Sequence, residues 1–274
     1  MTPLKRITFV VNSSKAGARV LADELAEQTR KCGGDAVITE EHPLPKGFLE
    51  GRDACCVLGG DGTLLATAAE AIRCDVPVFG VNRGKLGFLA TFSAEEALQR
   101  LQGILRGDYD IMTRTVLGAE MDCGTSAIAL NDVVIKQTDA TGLILLRVES
   151  DGELVTHYSC DGLIFATPTG STAYNLSAGG PIVYPSARVI CMTPICPHTL
   201  TNRSLIFPER KRLTVSCEGE VTCPLITVDG TYHFEGHSCL PIEVAIAEKS
   251  LKLLQPLNYN HFRILRQKLQ WGGD

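Results

Sequence analysis

No apolar run in this 274-residue chain approaches the roughly 20 residues that carry a helix across a bilayer. The first apolar stretch, Ile7 to Val11, is too short for a signal-peptide core and ends at Asn12. The expected location is therefore cytoplasmic, with no membrane partner. A strong charge imbalance is also missing. The chain has 26 Lys and Arg against 31 Asp and Glu, a net charge of -5 with no long run of either sign, so a nucleic-acid partner is not expected. There is no C-x-x-C pair among the 11 cysteines scattered from Cys32 to Cys239. That excludes the common zinc and thioredoxin patterns and leaves reduced, mostly buried thiols acting as small hydrophobes. His157, His198, His233 and His237 are scattered and read as surface or core side chains, and no protein-held metal is expected. Two phosphate-binding signatures are absent too. Gly80-Val81-Asn82-Arg83-Gly84-Lys85-Leu86 lacks the spacing and the final hydroxyl of a Walker A loop, and Arg83 and Lys85 are expected in a solvated loop. Gly60-Asp61-Gly62-Thr63-Leu64 is followed by Leu65, where a Rossmann fingerprint requires glycine.

What is present is Gly59-Gly60-Asp61-Gly62-Thr63, set between the apolar run Ala54 to Leu58 and the Ala- and Leu-rich stretch Leu64 to Ile72. The first reads as a buried strand and the second as a helix. Glycines at a strand-to-helix turn allow close approach of a ligand to backbone N–H groups, and the helix N-terminus favours an anion, so phosphate is the natural guest. Asp61 brings negative charge into that turn. It suits a hydroxyl about to receive a phosphoryl group, or a metal.

The flanking chain predicts an α/β N-terminal domain with a parallel, doubly wound sheet over residues 1–108. Its strands are Ile7–Val11, Asp35–Thr39, the run ending at Leu58, and Val76–Val81. Its helices run from Ala16 to Cys32, with Val20, Leu21, Leu25 and Ala26 on one stripe, and from a Ser93/Glu96 capping box to about Arg106. Ligands of such sheets bind beyond the carboxyl ends of the strands, where Gly59–Thr63 falls. Short alternating strands from Tyr109 onward, with Asp151-Gly152 as a hairpin turn, predict a β-rich domain over 109–255. A last helix, Asn258 to Leu269, shows Phe262, Leu265 and Leu269 on one side, and the segment 256–274 is expected to return to the first domain.

A second stretch carries chemistry: Asp161-Gly162-Leu163-Ile164-Phe165-Ala166-Thr167-Pro168-Thr169-Gly170-Ser171-Thr172-Ala173-Tyr174. A buried strand ends at Thr167, Pro168 and Gly170 force a turn, and three hydroxyls crowd the next helix start. One hydroxyl suffices for a cap, so ligand contacts to sugar or phosphate oxygens are expected from this set. Gly179-Gly180-Pro181 ends that helix.

Together with Asn131-Asp132, Ser177-Ala178-Gly179-Gly180-Pro181, Asp229-Gly230, the loop Gly80 to Leu89 and the segment Thr193 to Leu200, these motifs occur in the order found in NAD kinases. The chain resembles that family over most of its length. The Gly-Gly-Asp-Gly-Thr element alone is shared with diacylglycerol and sphingosine kinases. The resemblance implies phosphoryl transfer from ATP to the 2′-hydroxyl of the adenosine ribose of NAD, giving NADP. It implies that Asp61 orients and deprotonates that hydroxyl, and that Gly59, Gly60, Gly62 and Thr63 cradle the donor phosphates. Asn131 and Asp132 would bind NAD, and Asp161 would sit near its nicotinamide half. Thr172, Ala173, Tyr174 and Ser177 would line the adenosine pocket, with Gly62, Phe88, Ser159, Thr169 and Thr231 as further NAD contacts. A divalent cation, Mg²⁺, is expected on the phosphate donor, and a homodimer or homotetramer as the assembly. The chain departs from common family residues at Asp132, where Glu is frequent, at Thr231, where Gln is frequent, and at Ser159, where some members carry Arg. A small residue at Ser159 implies that polyphosphate can replace ATP as donor. A lipid kinase is the nearest alternative, but no amphipathic basic stretch is present for a membrane surface. A non-catalytic dinucleotide sensor is the other, and the retained Asp61 argues against it.

Overall fold

The computed structural model describes residues 3–82, 84, 87–138, 142–199, 201–218, 224–236, 239–257 and 259–271. The chain divides into two compact units, Met1–Thr113 with Leu251–Asp274, and Arg114–Ser250. The first begins β1 (Arg6–Val11), α1 (Ala18–Lys31), β2 (Asp35–Thr39), β3 (Ala54–Leu58), α2 (Asp61–Cys74), β4 (Val78–Asn82), β5 (Phe92–Ser93), α3 (Ala94–Arg106) and β6 (Asp110–Arg114). The second follows with β7 (Leu117–Met121), β8 (Ser126–Ala129), β9 (Asp132–Gln137), β10 (Ile144–Ser150), β11 (Glu153–Cys160), β12 (Gly162–Ala166), α4 (Tyr174–Ser177), β13 (Val189–Ile195), β14 (Leu205–Pro208), β15 (Leu213–Cys217), β16 (Pro224–Val228), β17 (Tyr232–Glu235) and β18 (Ile242–Ile246). Strand β19 (Leu251–Gln255) and helix α5 (His261–Leu269) complete the first unit.

The sheet of the first unit runs β2-β1-β3-β4-β19-β6, with β5 on β4. The pairs β1–β2, β1–β3, β3–β4 and β4–β19 are all parallel. Buried strands in such a sheet need apolar residues on both faces, and β3 is buried throughout. Ile7, Phe9, Ala54, Cys56 and Phe79 share a core with α1 and α3. The alternate residues Val10, Cys55, Val57 and Val78 are equally buried, and α2 packs on β3, β4 and β19. Helices on both faces make the sheet doubly wound. The capping box of α3 forms in both directions, Ser93 Oγ accepting from Glu96 N–H and Glu96 Oε2 from Ser93 N–H. Gly107, at φ 107°, closes that helix in a conformation that disfavours any side chain.

Two apolar stripes differ from expectation. Val20 is 70% exposed, because Ala18, Leu21, Ala22, Leu25, Ala26 and Thr29 define the buried face of α1. Phe262 is 56% exposed, and α5 buries His261, Ile264 and Leu265 instead. In α5 the more polar His261, one step before Phe262, occupies the buried stripe. Asn258, predicted to open this helix, lies outside the described residues.

The second unit contains two antiparallel sheets, β11-β10-β15-β18-β7-β8 and β14-β13-β12-β9-β16-β17. Leu146, Val148, Val215 and Val244 from the first and Val133, Ile135, Leu163 and Phe165 from the second share one core, as in a β-sandwich. The alternate residues Val134, Ile164, Ala166 and Cys191 form another cluster under Ala178 and Val183. The centre of that sheet is therefore buried on both faces, the outer one by the segment following β12. Asp151 and Gly152, both at positive φ, make the β10–β11 turn. Strands β5, β14 and β17 were not marked by the sequence pattern, being short and, for β14 and β17, largely exposed. Burial pushes the Cys191 thiol up to about 11 and the Cys160 thiol up to about 12, as expected for thiols packed as hydrophobes. Cys223 and His237 lie outside the described residues.

Candidate active site

In the first unit the Gly59–Thr63 turn joins β3 to α2, and the helix starts at Asp61, not at Leu64. Asp61 is thus the first helical residue. Its carboxylate accepts three consecutive backbone N–H groups, Phe88 on Oδ2 at 2.9 Å, and Leu89 and Ala90 on Oδ1 at 3.2 and 3.0 Å. A Cβ on Gly87 would collide with that carboxylate, and one on Gly80 would fall 2.6 Å from Ala90 Cα, so both glycines are required for the loop to lie this close. Phe88 is half-buried and packs against His261 at the start of α5, with ring centroids 6.5 Å apart.

The glycines of the turn divide by role. A Cβ on Gly59 would meet Thr63 Oγ1 at 2.6 Å, and Thr63 itself is buried with its hydroxyl accepting from Asn12 Nδ2 at 2.9 Å. Gly59 and Thr63 therefore pack the turn. A Cβ on Gly60 or Gly62 would meet nothing within 4 Å among the described residues. Gly60 caps α2 without a side-chain hydrogen bond, which leaves first-turn N–H groups for an anion. Asn12 was not singled out from the sequence. Its only signal was a polar residue directly after a buried parallel strand.

In the second unit the organising group is Asp229, at φ 51°. Its carboxylate accepts from Leu130, Asn131 and Asp132 N–H at 2.8, 2.7 and 3.1 Å. The carbonyl side of the same segment is tied as well. Thr167 donates its hydroxyl to Leu130 O at 2.6 Å and its N–H to Asn131 O at 2.8 Å. Gly170 packs so tightly on the Asn131 backbone that any Cβ there would collide with it. Asn131, half-buried, and Asp132, buried, are thereby fixed at the start of β9.

The segment after β12 is not the capped helix expected. A single 3₁₀ turn, Gly170–Thr172, precedes the four residues of α4, and neither has a side-chain cap. The segment instead wraps around the buried amide of Asn175, which donates to Ser171 O at 3.2 Å and Pro181 O at 3.0 Å and accepts from Thr193 Oγ1 at 2.7 Å. Ser171 is internal, donating to Pro168 O at 2.6 Å and accepting from Val183 N–H at 3.0 Å. Thr172 donates to Thr169 O at 3.3 Å. Thr169 Oγ1 is buried without a hydrogen-bond partner among the described residues. Tyr174 and Ser177 are exposed and Ala173 is half-buried. Asp161 is exposed between β11 and β12, while Ser159, half-buried on β11, accepts His198 N–H on its carbonyl at 2.8 Å. Thr231 is exposed, its hydroxyl donating to Asp229 O at 3.2 Å. Arg83, Lys85 and Leu200 lie outside the described residues.

Two carboxylates share the Asp229 clamp. Burial, and then the nearby negative charge of Asp229, push Asp132 up to about 7. Burial raises Asp229 as well, against the lowering effect of its three N–H donors.

Residues 4–109 match the model for the ATP-NAD kinase N-terminal domain and residues 130–255 that for the C-terminal domain. An NAD kinase of Solibacter usitatus is 38% identical over 99% of this chain and 99% of its own. The chain belongs to the NAD kinase family. Another relative, the NAD kinase of Cupriavidus pinatubonensis, is 37% identical over 98% of this chain and 93% of its own. The crystal structure of yeast NADH kinase complexed with NADH superposes with a TM-score of 0.85 at 25% identity, covering 100% of this chain and 90% of that one. An NAD kinase from Archaeoglobus fulgidus in complex with ATP shares the fold, with a TM-score of 0.80 at 24% identity over 97% of this chain and 100% of that one. Family membership favours neither a lipid kinase nor a non-catalytic sensor. No helix among the described residues is long and apolar enough to cross a membrane.

The Asp132 environment fixes the sign of a pH effect. An unfolded Asp releases its proton near pH 3.9, whereas the folded one holds it to about 7. Between those values the native state binds more protons, so this group's contribution to stability falls as pH rises, by at most about 1.4 kcal/mol per unit. Urea unfolding of Asp132→Asn should therefore show stability gaining on wild type between pH 5 and 7. Parallel pH profiles for the two proteins would contradict it.

Proposed function

We propose that this chain transfers the γ-phosphoryl group of ATP to the 2′-hydroxyl of the adenosine ribose of NAD, giving NADP. The observation that carries the reading is Asp61. A carboxylate has about four lone-pair directions, and three are taken by Phe88, Leu89 and Ala90 N–H. Among the described residues one direction, on Oδ2, remains, and it suits the proton of a hydroxyl acceptor. In this reading Asp61 orients that hydroxyl and takes its proton as the oxygen attacks phosphorus. Gly60 and Gly62, with the uncapped start of α2, cradle the donor phosphates through backbone N–H groups. Gly59 and Thr63 shape that cradle.

Asn131 and Asp132 hold NAD, with the carboxyl group on ribose oxygens. Thr169 offers its unpartnered hydroxyl to the ligand, and Thr172, Ala173, Tyr174 and Ser177 line the adenosine. Asp161 contacts the nicotinamide half, and Phe88, Ser159 and Thr231 complete the set. A divalent cation fits as part of the donor. Among the described residues no three His, Cys, Asp or Glu gather into a cage, and Asp61 has a single acceptor direction left. Mg²⁺ held by the triphosphate oxygens would neutralise charge on the transferring group. The reading includes a homodimer or homotetramer, as the family resemblance implies, and a cytoplasmic location, for which the short apolar runs of the sequence argue.

Asp61→Asn should keep NAD binding, followed by calorimetry, and lose turnover by on the order of 10²-fold or more in a coupled assay for NADP from NAD and Mg-ATP. Turnover within about threefold of wild type would remove Asp61 from the chemistry. Polyphosphate should also act as donor, since a backbone cradle reads phosphate oxygens and Ser159 is small and neutral. An Arg fork prefers particular oxygen geometries. Ser159→Arg should accordingly lower the polyphosphate-to-ATP rate ratio. An unchanged ratio, or no polyphosphate activity in an enzyme active with ATP, would refute this.

A further inference from the structure

Among the described residues outside these two sets, one pair of side chains is placed for chemistry. Cys123 is exposed in the β7–β8 turn, and Cys239 is buried at the end of the connection from β17 to β18, within the sandwich core. They lie 116 residues apart in sequence, yet their sulfurs are 3.6 Å apart. The approach follows from strand pairing. β7 and β18 are antiparallel with Met121 opposite Ile242, and Asp122 N–H donates to Pro241 O at 3.1 Å, continuing the ladder into the turn. Among the described residues no third His, Cys, Asp or Glu joins them into a metal set. The adjacent Cys55 and Cys56 offer no comparable pair, since neighbours on a strand point to opposite faces and both are fully buried.

We propose that Cys123 and Cys239 form a reversible redox-modification site, closed to an intramolecular disulfide by a low-molecular-weight disulfide. The Cys123 thiolate attacks one sulfur of the oxidant, forming a mixed disulfide and releasing one small thiol. Cys239, in contact but shielded from a bulky oxidant, then attacks Cys123 Sγ, its proton leaving with the second small thiol. Two protein thiols are oxidised by two electrons and one external disulfide is reduced to two thiols. Hydrogen bonds from the Thr125 hydroxyl and N–H hold the Cys123 thiol below the usual range, which favours the attacking thiolate. Bringing the sulfurs from contact to the roughly 2.05 Å of a disulfide requires only a small movement of the exposed turn. The bond would tie the β7–β8 turn to the segment that follows β17 and restrict the unfolded chain.

The test uses the full chain incubated with oxidised glutathione, alkylated before denaturation and mapped by peptide mass spectrometry. The expected product is a Cys123–Cys239 linked peptide pair that a dithiol reverses, with a raised Tm. Cys123→Ser changes only an exposed turn residue, and in it Cys239 should stay reduced and the Tm unmoved by the oxidant. A glutathione adduct that stops at Cys123, an unreacted Cys123, or an equal Tm shift in Cys123→Ser would overturn the proposal.

Discussion

A carboxylate that accepts three consecutive backbone N–H groups fixes the candidate site residues in each unit. Asp229 does so for Leu130 to Asp132, and Asp61 for Phe88 to Ala90. Burying a carboxylate is costly unless its oxygens are filled, and charge-assisted bonds from backbone N–H groups fill them without ordering any long side chain. The two clamps share one pattern, with two N–H donors on Oδ1 and one on Oδ2.

Each clamp depends on glycines chosen by packing. Gly87 admits the loop to Asp61, Gly80 admits Ala90 to β4, and Gly170 admits the turn to the Asn131 backbone. Gly60 and Gly62 differ, since packing among the described residues does not require them. That contrast separates glycines that build the scaffold from glycines that leave a backbone surface uncovered among the described residues. It also explains why Asp132 can be buried beside Asp229. The second carboxylate is held there by the clamp and responds by retaining its proton to about pH 7.

The parallel sheet, the capping box of α3 and the Asp151-Gly152 hairpin were legible because each rests on local pattern. The Gly59–Thr63 turn was legible as a strand-to-helix junction for the same reason. What the pattern missed depends on contacts far apart in sequence. Asp229 lies nearly a hundred residues from the N–H groups it holds, and Asn175 works through Pro181 and Thr193. Ser171 looked like a ligand hydroxyl but serves Pro168 and Val183, since a hydroxyl in a buried turn must satisfy the backbone around it. Val20 and Phe262 show the limit of helical stripes, where apolar character marks candidates for burial and packing selects among them.

The clamp on Asn131 and Asp132 is most directly tested by amide hydrogen exchange in Asp229→Asn. Asn tolerates the left-handed turn at this position, so the backbone is kept while one accepting oxygen becomes a donor. The account predicts faster exchange at Leu130, Asn131 and Asp132 than in wild type, with the amides of β12 unchanged and NAD affinity reduced. Unaltered protection at those three amides in a folded variant would contradict it.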